Sequence, residues 1–218
     1  MNKASQPEQH YDQTYFEWQS EIGQFGAKAN SSKFSAHISS TDAVLDFGCG
    51  GGFLLAALKT REKLGVEVNQ SARDQCRKLG IDAVSSLGEV SDNWADVAIS
   101  HHALEHVSDP LSTLRALRDK IKSGGKIVCV VPCESFRVKY AHPNQDNHLY
   151  TWSPMNLGNL IRSAGFDVVE VKRIAHRWPP KPLAVQKLLG WPLFHLASKI
   201  TAHLRPDLTQ IICVARKH

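Results

Sequence analysis

With 218 residues, 42% hydrophobic and 22% charged, the chain is long enough to bury one good core, and no change in composition indicates a second domain. Residues 1–9 lack the apolar run of a signal peptide, and about eighteen consecutive apolar residues occur nowhere, so we predict a cytoplasmic protein without a membrane span. The 5 cysteines lack Cys-x-x-Cys spacing, which argues against a disulfide framework or a structural zinc site.

Short strands and helices alternate along the sequence. Strands are predicted at 43–47, 63–68, 81–85, 95–100, 126–132, 166–174 and 209–216. Helices are predicted near 30–38, 53–60, 70–79, 109–122 and 153–164, with caps at Ser108 or Asp109 and at Ser153, each followed by a proline. The segment 86–93 is too short for a helix, so we expect a turn there. Alternation through the first five strands predicts right-handed crossovers and a parallel sheet.

A glycine-rich loop follows the first predicted strand. Asp46 ends the strand, and Gly48, Gly50 and Gly52 follow in the pattern Asp-x-Gly-x-Gly-x-Gly. The dinucleotide fingerprint G-x-G-x-x-G needs a sixth-position glycine, but that position is Phe53. A carboxylate at Asp46 would repel a pyrophosphate, whereas it suits S-adenosylmethionine, which carries a sulfonium and an ammonium group and no phosphate.

A second acid follows the second predicted strand. Glu67 stands where nucleotide-binding folds place the carboxylate that holds the ribose hydroxyls. The alternative is a glycine-rich turn with an unrelated surface Glu, but both features follow predicted strands, as nucleotide binding requires.

In this order, the motifs resemble those of the class I S-adenosylmethionine-dependent methyltransferases, in particular the small-molecule group with a Leu-Glu-His segment. The resemblance covers roughly 44–216. Besides the glycine loop and Glu67, it rests on the strand 95–100, on Leu104-Glu105-His106-Val107, on the turn Ser123-Gly124-Gly125 and on the segment from His148 to Phe166. Ser123 departs mildly from the family's usual proline.

The resemblance implies a Rossmann-like, doubly wound α/β fold with helices on both faces of a seven-stranded sheet, in the order 3-2-1-4-5-7-6 with strand 7 antiparallel. It implies one methyltransferase domain over 1–218. Within it, 1–40 would form an N-terminal helical cap whose aromatic residues Tyr11, Tyr15, Phe16 and Trp18 either wall the site or pack in the core. Residues 176–207 would be a helical insertion between strands 6 and 7.

Ligands of doubly wound sheets bind at the carboxyl ends of the strands, near the switch in strand order. The glycine loop would then face the methionine part of S-adenosylmethionine, the residues after strand 2 the ribose, those after strand 3 the adenine, and those after strand 4 the sulfonium. The cofactor residues predicted in this way are Asp46, Gly48, Cys49, Gly50, Gly52, Phe53, Glu67, Val68, Asn69, Leu87, Gly88, His101 and His102.

Histidines near the predicted acceptor site are candidates for a general base, because an imidazole titrates near neutrality. The catalytic candidates are His102, His106 and His148. Each has a structural alternative, in which the ring bonds a loop carbonyl and packs in the pocket wall. A sulfonium methyl is already activated, so proximity and orientation without a base are a further alternative. The polar run 142–148 lacks metal-ligand spacing, and we predict no metal.

The net charge of +5 is concentrated after strand 6, where no acid occurs between Glu170 and Asp207. This stretch also carries Trp and Leu residues, and its four prolines at 179, 180, 182 and 192 divide it into short pieces. Three interpretations stay open: a flap that packs on the body and shapes the acceptor pocket, a peripheral contact with a membrane or a lipid-linked substrate, and a lid or dimer contact. Nucleic acid is the least favoured partner.

The sequence therefore predicts methyl transfer from S-adenosylmethionine to an oxygen, nitrogen or carbon atom of a small molecule. An RNA-directed methyltransferase and a non-catalytic S-adenosylmethionine-binding protein are the alternatives. A nucleotide-dependent oxidoreductase is disfavoured by Phe53 and Asp46. The oligomeric state and the identity of the acceptor are not encoded in a readable motif.

Overall fold

The computed structural model describes residues 13–135, 138–140, 146–205 and 208–218, with the side chains of 13–22 and of Leu208 left out of the description. Tyr11, Tyr15, Phe16 and Trp18 therefore lie outside what can be compared with the structure.

The strands form one seven-stranded sheet in the order β3-β2-β1-β4-β5-β7-β6. Their bounds are β1 Ala43–Phe47, β2 Glu62–Val66, β3 Asp82–Val84, β4 Ala95–His101, β5 Ile121–Glu134, β6 Asp167–Ile174 and β7 Leu208–Arg216. The first five strands are parallel, and β7 runs antiparallel to both β5 and β6. The predicted fold class, strand order and strand orientation are confirmed.

Six helices are described. Their bounds are α1 Gln13–Ser35, α2 Phe53–Ala57, α3 Gln70–Lys78, α4 Pro110–Lys120, α5 Pro154–Ser163 and α6 Pro182–Leu204. The predicted caps are present, since the Asp109 side chain accepts a hydrogen bond from Ser112 N and the Ser153 side chain accepts one from Asn156 N. The segment between β3 and β4 contains a single 3-10 turn at Leu87–Glu89, as expected.

Three elements differ from the prediction in extent. The helix predicted near 30–38 is the end of the longer α1. The start of α1 was missed because its glycines and polar residues weaken the apolar periodicity that predicts a helix. Strand β5 begins at Ile121, which pairs with Ala95 ahead of the Gly124-Gly125 turn. Helix α6 is one helical stretch with a kink at Gly190 (φ 72°, ψ 175°), and Pro192 begins its second piece, so the expected break is present.

The sheet is buried on both faces because neighbouring residues of its strands point to opposite sides. Leu45 belongs to a core with Leu114 of α4 and Leu157 of α5, whereas the preceding Val44 belongs to a core with Phe34 of α1 and Leu55 of α2. A third cluster joins Phe25 and Ala29 of α1 to Phe194 of α6. This arrangement leaves the carboxyl ends of β1, β2 and β4 as the edge where loops meet.

Across the described residues, no helix combines the length and apolar character needed to cross a membrane.

Lys33 is a half-buried amine at the contact between α1 and β7. Its Nζ donates to Asn30 Oδ1 (2.6 Å) and to Gln210 Oε1 (2.5 Å). Burial lowers the pKa of Lys33 to about 7. Both acceptors are neutral amides. Neither hydrogen bond therefore brings a negative charge that would offset the cost of burying the ammonium group.

We expect Lys33 to make stability depend on pH above neutrality. Between a folded pKa of about 7 and the ordinary lysine value of about 10.4, the unfolded chain binds more protons, so this group's contribution to stability rises with pH. The Lys33→Met variant lacks this pH-dependent contribution to stability. Its thermal midpoint should therefore exceed that of the wild type most near pH 7. The difference between the two midpoints should shrink as the solution becomes more alkaline. Lys28→Met, an exposed change on the same helix, is the control. A difference that stays constant with pH would contradict the account.

Candidate active site

A cavity of about 640 Å³ opens at the carboxyl edge of the sheet, within the size range of small-molecule sites. It is walled by the loops that follow β1, β2 and β4, by α1, and by residues close to His148 and Trp178. Its lining residues include Gly23, Gly26, Asn30, Asp46, Gly48, Cys49, Gly50, Phe53, Glu67, Val68, Asn69, His101, His102, Glu105, His106, Asp146, His148 and Trp178.

The glycine loop is fixed to the end of β2. Gly48 N and Cys49 N both donate to Val66 O, at 2.8 and 3.2 Å. Gly48 has a φ of 75°, and a Cβ added there would collide with the Cβ of Ala103 in the loop after β4. Only glycine therefore lets the loop after β1 pass so close to the loop after β4.

Glu67 connects the glycine loop to the start of α3. One carboxylate oxygen accepts from Gly50 N and the other from Asn69 N, each at 2.9 Å. Burial raises the pKa of Glu67, and the two backbone hydrogen bonds act in the opposite direction. Each carboxylate oxygen has a second lone pair, so Glu67 can hold the loop and still accept hydrogen bonds from hydroxyl groups in the cavity.

Asp46 is a buried acid on the cavity wall, with 2% of its surface exposed. Burial, followed by the proximity of Glu67, raises the pKa of Asp46 to about 8. Among the described residues its Oδ1 has no hydrogen-bond partner. A buried acid with one unpartnered oxygen, next to the half-buried acid Glu67, is a site that a cationic ligand would stabilise.

The end of β4 and the loop after it carry the polar side chains His101, His102 and Glu105. His101 is half-buried, and burial holds its pKa well below the ordinary value, so its ring is neutral at pH 7. His102 has a left-handed backbone (φ 54°), and its Nδ1 lies 3.1 Å from Oε1 of Glu105, within ion-pair distance but without hydrogen-bond geometry. Glu105 is 0% exposed, and in the described part of the chain His102 is the basic side chain within ion-pair distance of it.

A second histidine pair, His106 and His148, lines the cavity. The rings of His106 and His148 pack edge to face with their centroids 5.1 Å apart. His148 Nδ1 lies 2.7 Å from Oε1 of Glu134, at the end of β5. Burial lowers the pKa of His106. With the Nδ1 proton of His148 directed at Glu134, its Nε2 keeps a lone pair that can accept a proton.

Backbone hydrogen bonds hold the His148 segment in place. Leu149 N donates to Glu105 O (2.9 Å), and Glu134 N donates to the hydroxyl of Thr151 (2.8 Å). This segment therefore bridges the loop after β4 and the end of β5. That bridge brings His148 next to His106 although they are far apart in sequence.

One group of side chains in the described residues has ligand atoms close enough to hold a metal ion. Glu105, His106 and His148 each offer one such atom, and these atoms lie within 4.8 Å of one another. Two of the three are half-buried histidines, and His148 already bonds Glu134. The expectation of a site without metal stays a prediction.

Helix α1 and Trp178, in the segment before α6, form a further wall of the cavity. A Cβ added at Gly26 of α1 would lie 3.2 Å from the ring of Trp178, which packs edge to face on Phe25 with ring centroids 5.1 Å apart. A Cβ at Gly23 would collide with the ring of Phe53. Trp178 and the glycines of α1 are wall residues that sequence motifs did not identify, although the aromatic content of 176–207 was a signal.

Most of the predicted cofactor residues line this cavity, as do all three catalytic candidates. Three of the predicted cofactor residues are not among its lining. Leu87 packs against the core, Gly88 lies in the 3-10 turn beside it, and Gly52 caps the start of α2. The turn between β3 and β4 is short, which keeps Leu87 and Gly88 close to the sheet and out of the cavity lining. Glu134, which sequence reasoning missed, carries no motif and becomes visible only through its contact with His148.

Comparison with known proteins agrees with this geometry. A family model described as a methyltransferase domain matches residues 11–171, more than half of the chain. The ubiquinone biosynthesis O-methyltransferase of Ruegeria pomeroyi is 34% identical over 101 residues, covering 39% of each chain. That of Cereibacter sphaeroides (strain KD131) is 31% identical over 157 residues, covering 59% of this chain and 62% of the relative. The chain thus spans less than two thirds of these curated relatives.

Solved structures share the fold. A possible histamine N-methyltransferase from Thermotoga maritima has a TM-score of 0.68 at 17% identity, covering 98% of this chain and 100% of the other. A methyltransferase from Archaeoglobus fulgidus has a TM-score of 0.67 at 19% identity, covering 93% and 99%. Phosphoethanolamine N-methyltransferase 2 of Haemonchus contortus, solved with S-adenosyl-L-methionine, has a TM-score of 0.65 at 14% identity, covering 98% and 60%.

The sheet order and the glycine loop with its two acids define the class I S-adenosylmethionine-dependent methyltransferase. The chain belongs to the methyltransferase-domain family, and S-adenosylmethionine is its methyl donor. Its closer assignment to the group with the Leu-Glu-His segment stays a prediction.

We expect donor binding to release a proton from Asp46. In the free protein this acid has a pKa of about 8 and is protonated below neutrality. A bound sulfonium and ammonium favour the ionised form and lower that pKa, so the proton passes to the buffer. Calorimetric titration of S-adenosylmethionine below pH 7, in two buffers with different ionisation enthalpies, measures the number released.

In this titration the wild type should release close to one proton, and Asp46→Asn none, with at least about tenfold weaker binding. Asp82→Asn, an exposed change at β3, is the matched control and should behave as the wild type. Equal proton release by the wild type and Asp46→Asn would remove Asp46 from the cation site.

Proposed function

We propose that this chain transfers the methyl group of S-adenosylmethionine to a hydroxyl oxygen of a small, largely apolar acceptor. The observation that carries the proposal is the Glu134–His148 pair beside His106, in the same cavity as Asp46 and Glu67. The names of the curated relatives, ubiquinone biosynthesis O-methyltransferases, support oxygen as the methylated atom.

The donor half of the cavity is the end formed by the loops after β1 and β2. In our proposal the backbone of Gly48 to Gly50 faces the methionine part, Asp46 attracts its cationic groups, and Glu67 accepts hydrogen bonds from the ribose hydroxyls. Val68 and Asn69 line the same end. S-adenosylmethionine supplies a methyl group activated by its sulfonium. The protein supplies position and a water-poor, low-dielectric setting.

The acceptor half is the end that holds the histidines and Trp178. A hydroxyl is a weak nucleophile until it loses its proton, and an imidazole with a free lone pair can take that proton as the oxygen attacks. We propose His148 as this base, because Glu134 orients its ring and stabilises the imidazolium that forms. His106, kept neutral by burial, packs on the ring of His148 and fixes its position.

His102 and His101 have different proposed roles. His102 lies 3.1 Å from the buried Glu105 at the border between the two halves, where it would hold that side chain in place. His101 lies beside His102, with ring centroids 4.6 Å apart. Both are positioning residues in this proposal. The alternative in which no base is used would leave His148 as a wall residue, and the tests below separate the two.

Helix α1 is proposed as a cap over the cavity and 176–207 as an insertion that shapes its acceptor half, within one methyltransferase domain. Support comes from the contact between Trp178 and Gly26 and from the Phe25–Phe194 cluster that joins α1 to α6. Both walls on this side are apolar or aromatic, which favours an acceptor with an apolar body over a sugar or a nucleic acid.

Methyl-transfer assays with matched acceptors test the proposal. Alkylated catechols and the corresponding diaminobenzenes differ only in the accepting atom, and S-adenosylhomocysteine formation measures turnover. We expect turnover with the catechols. Preference for the amines would contradict O-methylation. Donor binding without turnover on either set would favour a non-catalytic binding protein, and transfer to transfer RNA would favour an RNA-directed enzyme.

We predict that His148→Gln lowers kcat by roughly 10²- to 10⁴-fold and leaves donor binding unchanged, because only proton transfer is lost. Glu134→Gln removes an orienting charge and should lower kcat by about 10- to 100-fold. The double variant should be no slower than His148→Gln alone, since the two residues act as a unit. His203→Gln, an exposed change on α6, is the control. Full activity of His148→Gln would show that positioning alone suffices.

A further inference from the structure

Helix α6 has an apolar face that points to solvent. After the kink at Gly190, the exposed residues Leu193, Leu196, Ile200 and Leu204 follow one another at spacings of three and four, which places them along one side of a helix. They are 49%, 52%, 52% and 77% exposed. Phe194, Ser198 and Ala202, on the opposite side of the same turns, are buried against the body. The exposed stripe is therefore a second apolar face that the fold does not use.

The piece of α6 before the kink also exposes large apolar side chains, although not at the same spacing. Leu183, Leu188 and Leu189 are 52%, 83% and 44% exposed. We call these three residues, together with the four of the second piece, the outer face of α6. So many large apolar side chains exposed on one helix mark a surface that is covered in the working state.

Cations flank the outer face. Lys181, Lys187, Lys199 and Arg205 are all exposed on or next to α6, and no Asp or Glu occurs anywhere from 171 to 206. Lys187 stands directly before Leu188, and Lys199 directly before Ile200. Apolar side chains that enter an acyl layer with cations at the level of the headgroups are the pattern of an interfacial helix.

We propose that the outer face of α6 docks on an anionic lipid surface. Charge decides between this occupant and a second copy of the chain. In a symmetric dimer built on this face, Lys187, Lys199 and Arg205 would approach their own counterparts with no acid on the segment to pair them. Anionic headgroups supply the missing negative charge, and the acyl layer covers the leucines.

One aromatic cluster connects the helix that carries the outer face to the cavity. Trp178 lines the cavity and belongs to the same aromatic cluster as Phe194, whose helix carries the outer face. The docking proposal does not require the methyl-transfer proposal, because lipid binding and donor binding are measured without any acceptor.

Co-sedimentation with vesicles tests the docking proposal. The full chain should bind vesicles of phosphatidylcholine with phosphatidylglycerol, bind pure phosphatidylcholine much more weakly, and leave the anionic vesicles as salt is added. The double change Leu196→Ser and Ile200→Ser should weaken binding at least about tenfold, because two large apolar contacts are lost. The double change Lys187→Glu and Lys199→Glu should weaken it by about thirtyfold or more, because each reversal replaces attraction by repulsion.

Matched controls carry the same chemistry elsewhere on the surface. Met155→Ser with Val169→Ser changes two residues that are 74% and 58% exposed, and Lys59→Glu with Lys78→Glu repeats the charge change. Both controls should bind vesicles as the wild type does, and all variants should keep S-adenosylhomocysteine binding and the wild-type circular dichroism.

Three results would overturn the proposal. One is failure of the wild type to bind anionic vesicles. Another is equal weakening by the control pairs, which would show that binding follows overall charge or hydrophobicity. The third is a dimer in light scattering that the Leu196→Ser and Ile200→Ser change dissociates, which would make a second copy the occupant.

Discussion

The carboxylate of Glu67 is the interaction on which the site depends. It accepts from Gly50 N with one oxygen and from Asn69 N with the other, so one half-buried acid joins the loop after β1 to the loop after β2. Gly48 then passes Ala103 without a side chain, which brings in the loop after β4. Because three loops meet through these contacts, the end of the cavity proposed to hold the donor has a defined shape before any ligand arrives.

Burial disfavours charge at this end of the cavity. Glu67 and Asp46 both have raised pKa values, and burial also holds the pKa of His101 well below the ordinary value, so the charged form of each group is disfavoured in the free protein. A ligand with a positive sulfonium and ammonium would favour the ionised form of the two acids and recover part of the cost of burying their charge. A pyrophosphate carries no positive charge and would recover none of it.

The sequence was sufficient to place the residues of the proposed donor end in one cavity because these residues are local. A strand, an acid and spaced glycines lie within one short segment, and Glu67 follows the next strand, so alternation and spacing bring them together. Alternation predicted the parallel strands, whereas the strand order came from the family resemblance. The start of β5 and the length of α1 were not predicted, because the pairing of Ile121 with Ala95 and the packing of Phe25 on α6 are tertiary contacts without a local signal.

The acceptor end is the opposite case. Glu134 reaches His148 across a connection of irregular chain, and Trp178 reaches Gly26 from the segment after β6. No sequence motif predicts these contacts. Each joins two elements whose separation is set by tertiary packing and not by their spacing in the sequence. The strand ends that hold the donor are part of the sheet, whereas the acceptor wall is built from pieces that can change without disturbing it. One scaffold can therefore keep its methyl donor while its acceptor changes, which is why the motifs identify the first and not the second.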